Sequence, residues 1–135
     1  HDNIARSVLQ APKVYFYDTG LVEGDEGIRF ENLVATALLK HVQYQYDALG
    51  KEAGLHYIRT KDDAEVDFAL SQKNELKHLV ECKLRDDKPH RSLKRFADEF
   101  PKTEAVQLLR DLKHSFDVGR IQMRRADEWL MTLAA

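Results

Sequence analysis

Apolar residues along this chain change spacing several times, and each change marks an element. From about Ile28 to Tyr44, Leu33, Val34, Ala37, Leu38 and Val42 recur three and four residues apart, the period of an amphipathic helix. Beyond Gly50 and Gly54 the period drops to two. Three β-rich runs follow, Leu55–Thr60, Ala64–Ser71 and Leu76–Leu84, and they predict a meander of strands. Pro89 closes that block. Ser92–Phe100 returns to the helical period, with Leu93, Phe96, Ala97 and Phe100 on one face, and Pro101 stops it. Glu104–Leu109 and Gly119–Met123 read as strands. Ala126–Leu133 reads as a terminal helix that packs through Trp129, Leu130 and Leu133.

Ahead of the long helix, Lys13–Asp18 predicts a strand, Thr19-Gly20 a break, and Gly24–Gly27 an acidic loop suited to a helix start. Residues 1–12 are polar and unpatterned and read as a linker or tag remnant, which leaves one domain over 13–135. A helical crossover between Leu76–Leu84 and Glu104–Leu109 makes those two strands parallel. The predicted class is α/β, a mixed β-sheet flanked by helices.

The strand faces carry the chemistry. In the second meander strand Ala64, Val66, Phe68 and Leu70 share one face, and Glu65 and Asp67 share the other. In the third, Val80, Cys82 and Leu84 share one face, and Glu81 and Lys83 the other. A polar turn at Lys73-Asn74-Glu75 joins the two, and a register centred on Asn74 sets Asp67 opposite Glu81 and Glu65 opposite Lys83. The second pair is a favourable ion pair. The first is two like charges about 5 Å apart, unfavourable unless a cation lies between them. Carboxylate oxygens suit Mg²⁺ or Mn²⁺. On the long helix, Glu31 shares a stripe with Val34, Ala35, Leu38 and Val42, where an unpaired carboxylate is expensive. Glu31, Asp67, Glu81 and Lys83 are therefore expected to converge in one concave site at the sheet edge.

Composition adds limits. The chain has 135 residues, 43% hydrophobic and 33% charged, in keeping with one folded domain. Its single cysteine excludes an internal disulfide framework and a cysteine-based zinc site. No apolar run spans a bilayer and no secretory signal is visible, so the expected setting is cytoplasmic, with no membrane partner. The net charge of −2 argues against a general nucleic-acid coat, but charge is segregated. Lys83–Arg95 holds six Lys/Arg against two acids, a local +4, while Glu23–Glu31 holds four acids against one base, a local −3. Taken alone, the basic run is a solvated face slightly more readily than a groove for nucleic acid. Cys82 alone is a small buried hydrophobe. The six histidines share no metal-ligand spacing.

Asp67, then Glu81-Cys82-Lys83 on the next strand, then a Lys/Arg-bearing helix, resembles the PD-(D/E)XK motif of the restriction-endonuclease-like superfamily, with Val66 in place of the motif proline. Glu31 resembles the extra acid of its resolvase-like members. The blocks PKVYFYDTGL, FENLVATALLK, YIRTKDDAEVDFAL and VECKL, in that order, resemble a C-terminal domain of unknown function attached to prokaryotic AAA+-type ATPases. The resemblance runs from about Pro12 to the end. It implies a restriction-endonuclease-like mixed sheet. It also implies a Mg²⁺- or Mn²⁺-dependent nuclease in which Asp67, Glu81, Glu31 and the Cys82 carbonyl hold the metal and Lys83 assists at the phosphate. Lys94, Arg91, Arg59 and Lys61 become candidate contacts to DNA or another nucleic acid. The implied partner is an N-terminal AAA+-type ATPase domain. These 135 residues contain no P-loop sequence of their own. The alternative is a catalytically inactive module of the same fold that binds DNA or protein and positions the ATPase.

Overall fold

The computed structural model describes residues 9–10 and 25–134. The predicted strand Lys13–Asp18 and its break lie outside the described residues. The elements in order are β1 (Leu9–Gln10), α1 (Glu26–Leu49), β2 (Ala53–Arg59), β3 (Glu65–Gln72), β4 (Glu75–Lys83), α2 (Arg91–Glu99), β5 (Glu104–Leu109), β6 (Phe116–Val118), β7 (Ile121–Arg125) and α3 (Ala126–Ala134). They build one seven-stranded mixed sheet, ordered β1-β2-β3-β4-β5-β7-β6. β4, β5 and β7 run parallel, and the remaining pairings are antiparallel. The parallel β4–β5 pair follows from the α2 crossover, as the sequence predicts.

Local chemistry sets the boundaries. Asp25 caps α1, its carboxylate accepting the Ile28 N–H at 3.0 Å. The apolar stripe stops at Val42, yet the helix continues to Leu49. Its exit waits for Gly50, which adopts φ 65° and donates its N–H to the Gln45 carbonyl. β3 ends at Gln72 and β4 begins at Glu75, so Lys73 and Asn74 alone make the turn, both at positive φ. No separate pattern marks β6, a short exposed edge strand, and the predicted Gly119–Met123 strand begins two residues ahead of β7. Leu9–Gln10, inside the span read as unpatterned, pairs with Tyr57 and Ile58 of β2.

Helices cover both faces. On one side Leu93, Phe96 and Ala97 of α2, with Phe100 at its C-cap, pack on Val66, Leu79, Leu109 and Met123. On the other, Phe30, Val34 and Leu38 of α1 and Trp129 of α3 pack on Phe68, Leu70, Val80 and Leu108. The expected alternation of β3 is therefore corrected. Val66 belongs to the α2 side, whereas Phe68 and Leu70 belong to the α1–α3 side. The cause is a bulge: Ile58 of β2 pairs with Val66 but His56 with Ala69, so β3 carries one extra residue between them and its faces exchange there.

The α2 crossover is tied down by Arg120, whose guanidinium donates to the carbonyls of Ala97, Phe100, Pro101 and Thr103. These include helix-end carbonyls that the helix itself cannot satisfy. Arg120→Ala is expected to destabilise the fold by about 2 kcal/mol in urea titrations, from lost charge-assisted hydrogen bonds. Arg120→Lys should recover less than half, because an ammonium lacks the planar fork.

Candidate functional site

The β3–β4 ladder pairs Ser71 with Leu76 but Leu70 with His78, so Lys77 is an extra residue in β4, a one-residue bulge. The two-residue turn alone would centre the register between Lys73 and Asn74. The bulge moves it onto Asn74, and Ala69 then pairs with Leu79 and Phe68 with Val80. Backbone pairing ends there. One step further stand Asp67 and Glu81, where the strands are joined through side chains. The Asp67 N–H donates to Glu81 Oε1 at 3.0 Å, and the Cys82 N–H donates to Asp67 Oδ2 at 2.9 Å. Each carboxylate thus closes the backbone of the other strand.

This crossed pair lies at the C-terminal end of β4, beside the parallel strand β5. That location corrects the expected sheet edge, because β3 and β4 are interior strands. The C-terminal ends of parallel strands are where open α/β sheets hold ligands. Glu81 is buried, 5% exposed. Its outer oxygen, Oε2, faces Lys83 Nζ at 3.7 Å and His90 Nε2 at 3.8 Å. Burial first, then the Asp67 charge, push the Glu81 carboxyl up to about 8; Glu31 adds to the rise, and the Asp67 N–H and Lys83 oppose it. Burial, then Asp67, Glu81 and Glu31, push the Cys82 thiol well above its ordinary range, with Lys83 opposing. Burial, then Lys83, lower the pKa of the His90 ring, with Asp86 opposing.

Of the residues singled out in the sequence, Asp67, Glu81 and Lys83 are brought together. Glu31 is half-buried on α1, close enough for its charge to act on Glu81 and Cys82. Cys82 supplies a backbone N–H to Asp67 while its side chain packs in the α1–α3 core. The expected Glu65–Lys83 ion pair is corrected: Glu65 faces Arg59 of β2 at 3.6 Å, and Lys83 turns to Glu81. Arg59 is also engaged by Asp63 at 3.2 Å, and Lys61 is exposed in the same turn. That turn is bound to α2 by Arg95 and Asp62 at 2.9 Å. Arg91 and Lys94 are exposed on the first turns of α2. Sequence reasoning missed His90, since nothing in a lone loop histidine after a proline marks it as the neighbour of a strand glutamate.

Among the described residues no group of three or more His, Cys, Asp or Glu side chains is arranged to hold a metal ion. The donor chemistry still fits a hard cation that keeps several waters, because Mg²⁺ commonly takes only one or two carboxylates from protein.

Residues 26–125 match the family described as a domain of unknown function, DUF4143. The chain belongs to this family. No curated protein matches it in sequence. In structure it is similar to a chain of the refined half-complex from the tetradecameric assembly of Thermococcus gammatolerans McrB AAA+ hexamers with bound McrC. The TM-score is 0.51 at 12% identity, over 82% of this chain and 33% of that one. The likeness shows a shared fold, and the DUF4143 chain spans about a third of the matched one. No helix among its described residues is long and apolar enough to cross a membrane.

The perturbed carboxyl predicts a pH signature. Between about pH 4.5 and 8 the unfolded chain carries the Glu81 carboxylate and the folded chain the acid. Folding therefore takes up a proton, and stability drains as pH rises through that window. The stability of wild type relative to Glu81→Gln should accordingly fall by a few kcal/mol from pH 5 to pH 8.5, measured by urea unfolding. In Asp67→Asn the Glu81 carboxyl should titrate lower, because a like charge is removed, and carboxyl ¹³C signals will report it.

Proposed function

We propose that this DUF4143 chain is a nuclease-fold module of an ATPase-associated protein that binds Mg²⁺ or Mn²⁺ and acts on nucleic acid phosphodiesters by metal-activated water. The observation that carries this is the crossed Asp67–Glu81 pair, with Lys83 two residues further along the same strand. Two carboxylates held beside each other, one of them buried, are an unfavourable arrangement for the empty fold. A divalent cation makes it favourable, and when bound it supplies a Lewis acid for phosphate oxygen and a nucleophilic hydroxide near neutral pH. Asp67 and Glu81 would hold it, with Glu31 and the Cys82 carbonyl as further donors. The Lys83 ammonium stabilises charge at the phosphate. Arg91 and Lys94, with Arg59 and Lys61 at the β2–β3 turn, contact the nucleic acid backbone. The fold likeness to a chain of an AAA+ assembly and the sequence resemblance to ATPase-attached domains support a AAA+-type ATPase partner.

A second reading is a non-cleaving module of the same fold that positions the ATPase on DNA or protein. It is favoured by the Lys83 and His90 contacts on Glu81 Oε2, which engage that oxygen within the fold.

Cleavage of plasmid and branched DNA across several metals separates the two. In the nuclease reading Mn²⁺ supports cutting, Lys83→Ala abolishes it while DNA affinity stays within about twofold, and Glu81→Ala abolishes it too, which excludes a contaminant. Arg91→Ala with Lys94→Ala weakens binding and lowers its salt slope by about one unit per lost phosphate contact. DNA binding with no cutting in any metal establishes the second reading. Millimolar Mn²⁺ should also raise the melting temperature of wild type and leave that of Asp67→Asn nearly unchanged. A wild-type melting curve indifferent to Mn²⁺ and Mg²⁺ sinks the metal site.

A further inference from the structure

Strand β5 is apolar from Ala105 to Leu109 except at Gln107, whose side chain is fully enclosed. A buried carboxamide is costly unless each of its groups is bonded. Gln107 directs all of its bonds to one segment. Its Oε1 accepts the His90 N–H at 2.8 Å, and its Nε2 donates to the carbonyls of Asp86 at 3.0 Å and Lys88 at 2.9 Å. Two acceptors and one donor face the amide, so its orientation is fixed; a flipped amide would set oxygen against two carbonyls.

The segment held this way connects β4 to α2. It starts just after Lys83 and ends just before Arg91. Its start is also tied by the Asp111 N–H on the Leu84 carbonyl at 2.9 Å and by Arg85 on Asp111 at 3.2 Å, and its middle is braced by the Lys88 N–H on Asp86 Oδ1 at 3.1 Å. His90, at the N-cap of α2, makes no side-chain cap bond; its ring instead faces Glu81. We propose that Gln107 is a positioning residue of the Asp67–Glu81–Lys83 site: by clamping three backbone groups of the β4–α2 connection, it sets the His90 ring against Glu81 and fixes the start of α2 relative to β4. Only the metal-binding arm of this assignment rests on the proposed function.

The test uses the full chain with Gln107→Met, which keeps length and volume and removes the hydrogen bonds. Val106→Ala, on the opposite face of the same strand, controls for general loosening. Three quantities are measured: amide hydrogen exchange at His90, the ¹⁵N signals of the His90 ring, and Mn²⁺ affinity by electron paramagnetic resonance of free Mn²⁺. Gln107→Met should speed His90 exchange at least about tenfold, move the ring signals, and weaken Mn²⁺ binding about tenfold, the scale of lost outer-shell support. Val106→Ala should lower the melting temperature without these changes. Wild-type exchange and ring signals in Gln107→Met overturn the assignment, as does a Val106→Ala chain that reproduces the variant's behaviour. If wild type binds no Mn²⁺, the metal reading fails, while exchange and ring signals still decide the role of Gln107. If Gln107→Met does not fold, Gln107→Asn, one methylene shorter, is measured against the same outcomes.

Discussion

Where the β3–β4 ladder stops, two carboxylates take over the work of backbone pairing. Asp67 and Glu81 each accept an N–H of the opposite strand at 2.9–3.0 Å. Those bonds satisfy amides at the strand ends, where the antiparallel ladder has run out. They also set the buried Glu81 carboxyl beside a second acid, and burial together with that neighbour raises its pKa to about 8.

The surrounding structure keeps that end of the sheet rigid. α1 places Glu31 within electrostatic reach from one side, through the Phe30–Val34–Leu38 stripe that docks it on Phe68 and Val80. On the other side α2 packs on Leu79, the residue two before Glu81 on the same face. Arg120 gathers the carbonyls that end α2 and the turn beyond it, while Gln107 holds the segment that leads into it. The crossover that makes β4 and β5 parallel is thus bonded at its entry by a side chain of β5 and at its exit by one from the β6–β7 turn. Its exposed face, carrying Arg91 and Lys94, is left to solvent and to whatever approaches the carboxylates.

Element type and order were legible because they depend on local periodicity. The α1 stripe, the three meander strands, the α2 face and Glu104–Leu109 follow from spacing, and parallel pairing follows from the crossover. The family resemblance brought Asp67, Glu81, Lys83 and Glu31 forward together. Partners drawn from other strands were not legible in this way. Glu65 was matched with Lys83 across the β3–β4 turn, but β2 lies on its other side and supplies Arg59. His90 and Gln107 come from a loop and a distant strand, so no spacing rule links them to Glu81.

By itself the sequence determined the class of fold, the strand that carries Glu81 and Lys83, and the even separation that lets Asp67 and Glu81 share a face, since side-chain direction along a strand alternates by covalent geometry. Only the tertiary structure decided that they do. The turn after Gln72 is two residues long, which alone would offset the register by one and turn one acid away. The extra residue at Lys77 restores it. A bulge is chosen by how two strands fit beneath their helices, with Leu70, Phe68 and Val80 fixed on one face by α1, and that packing is not written in any single strand.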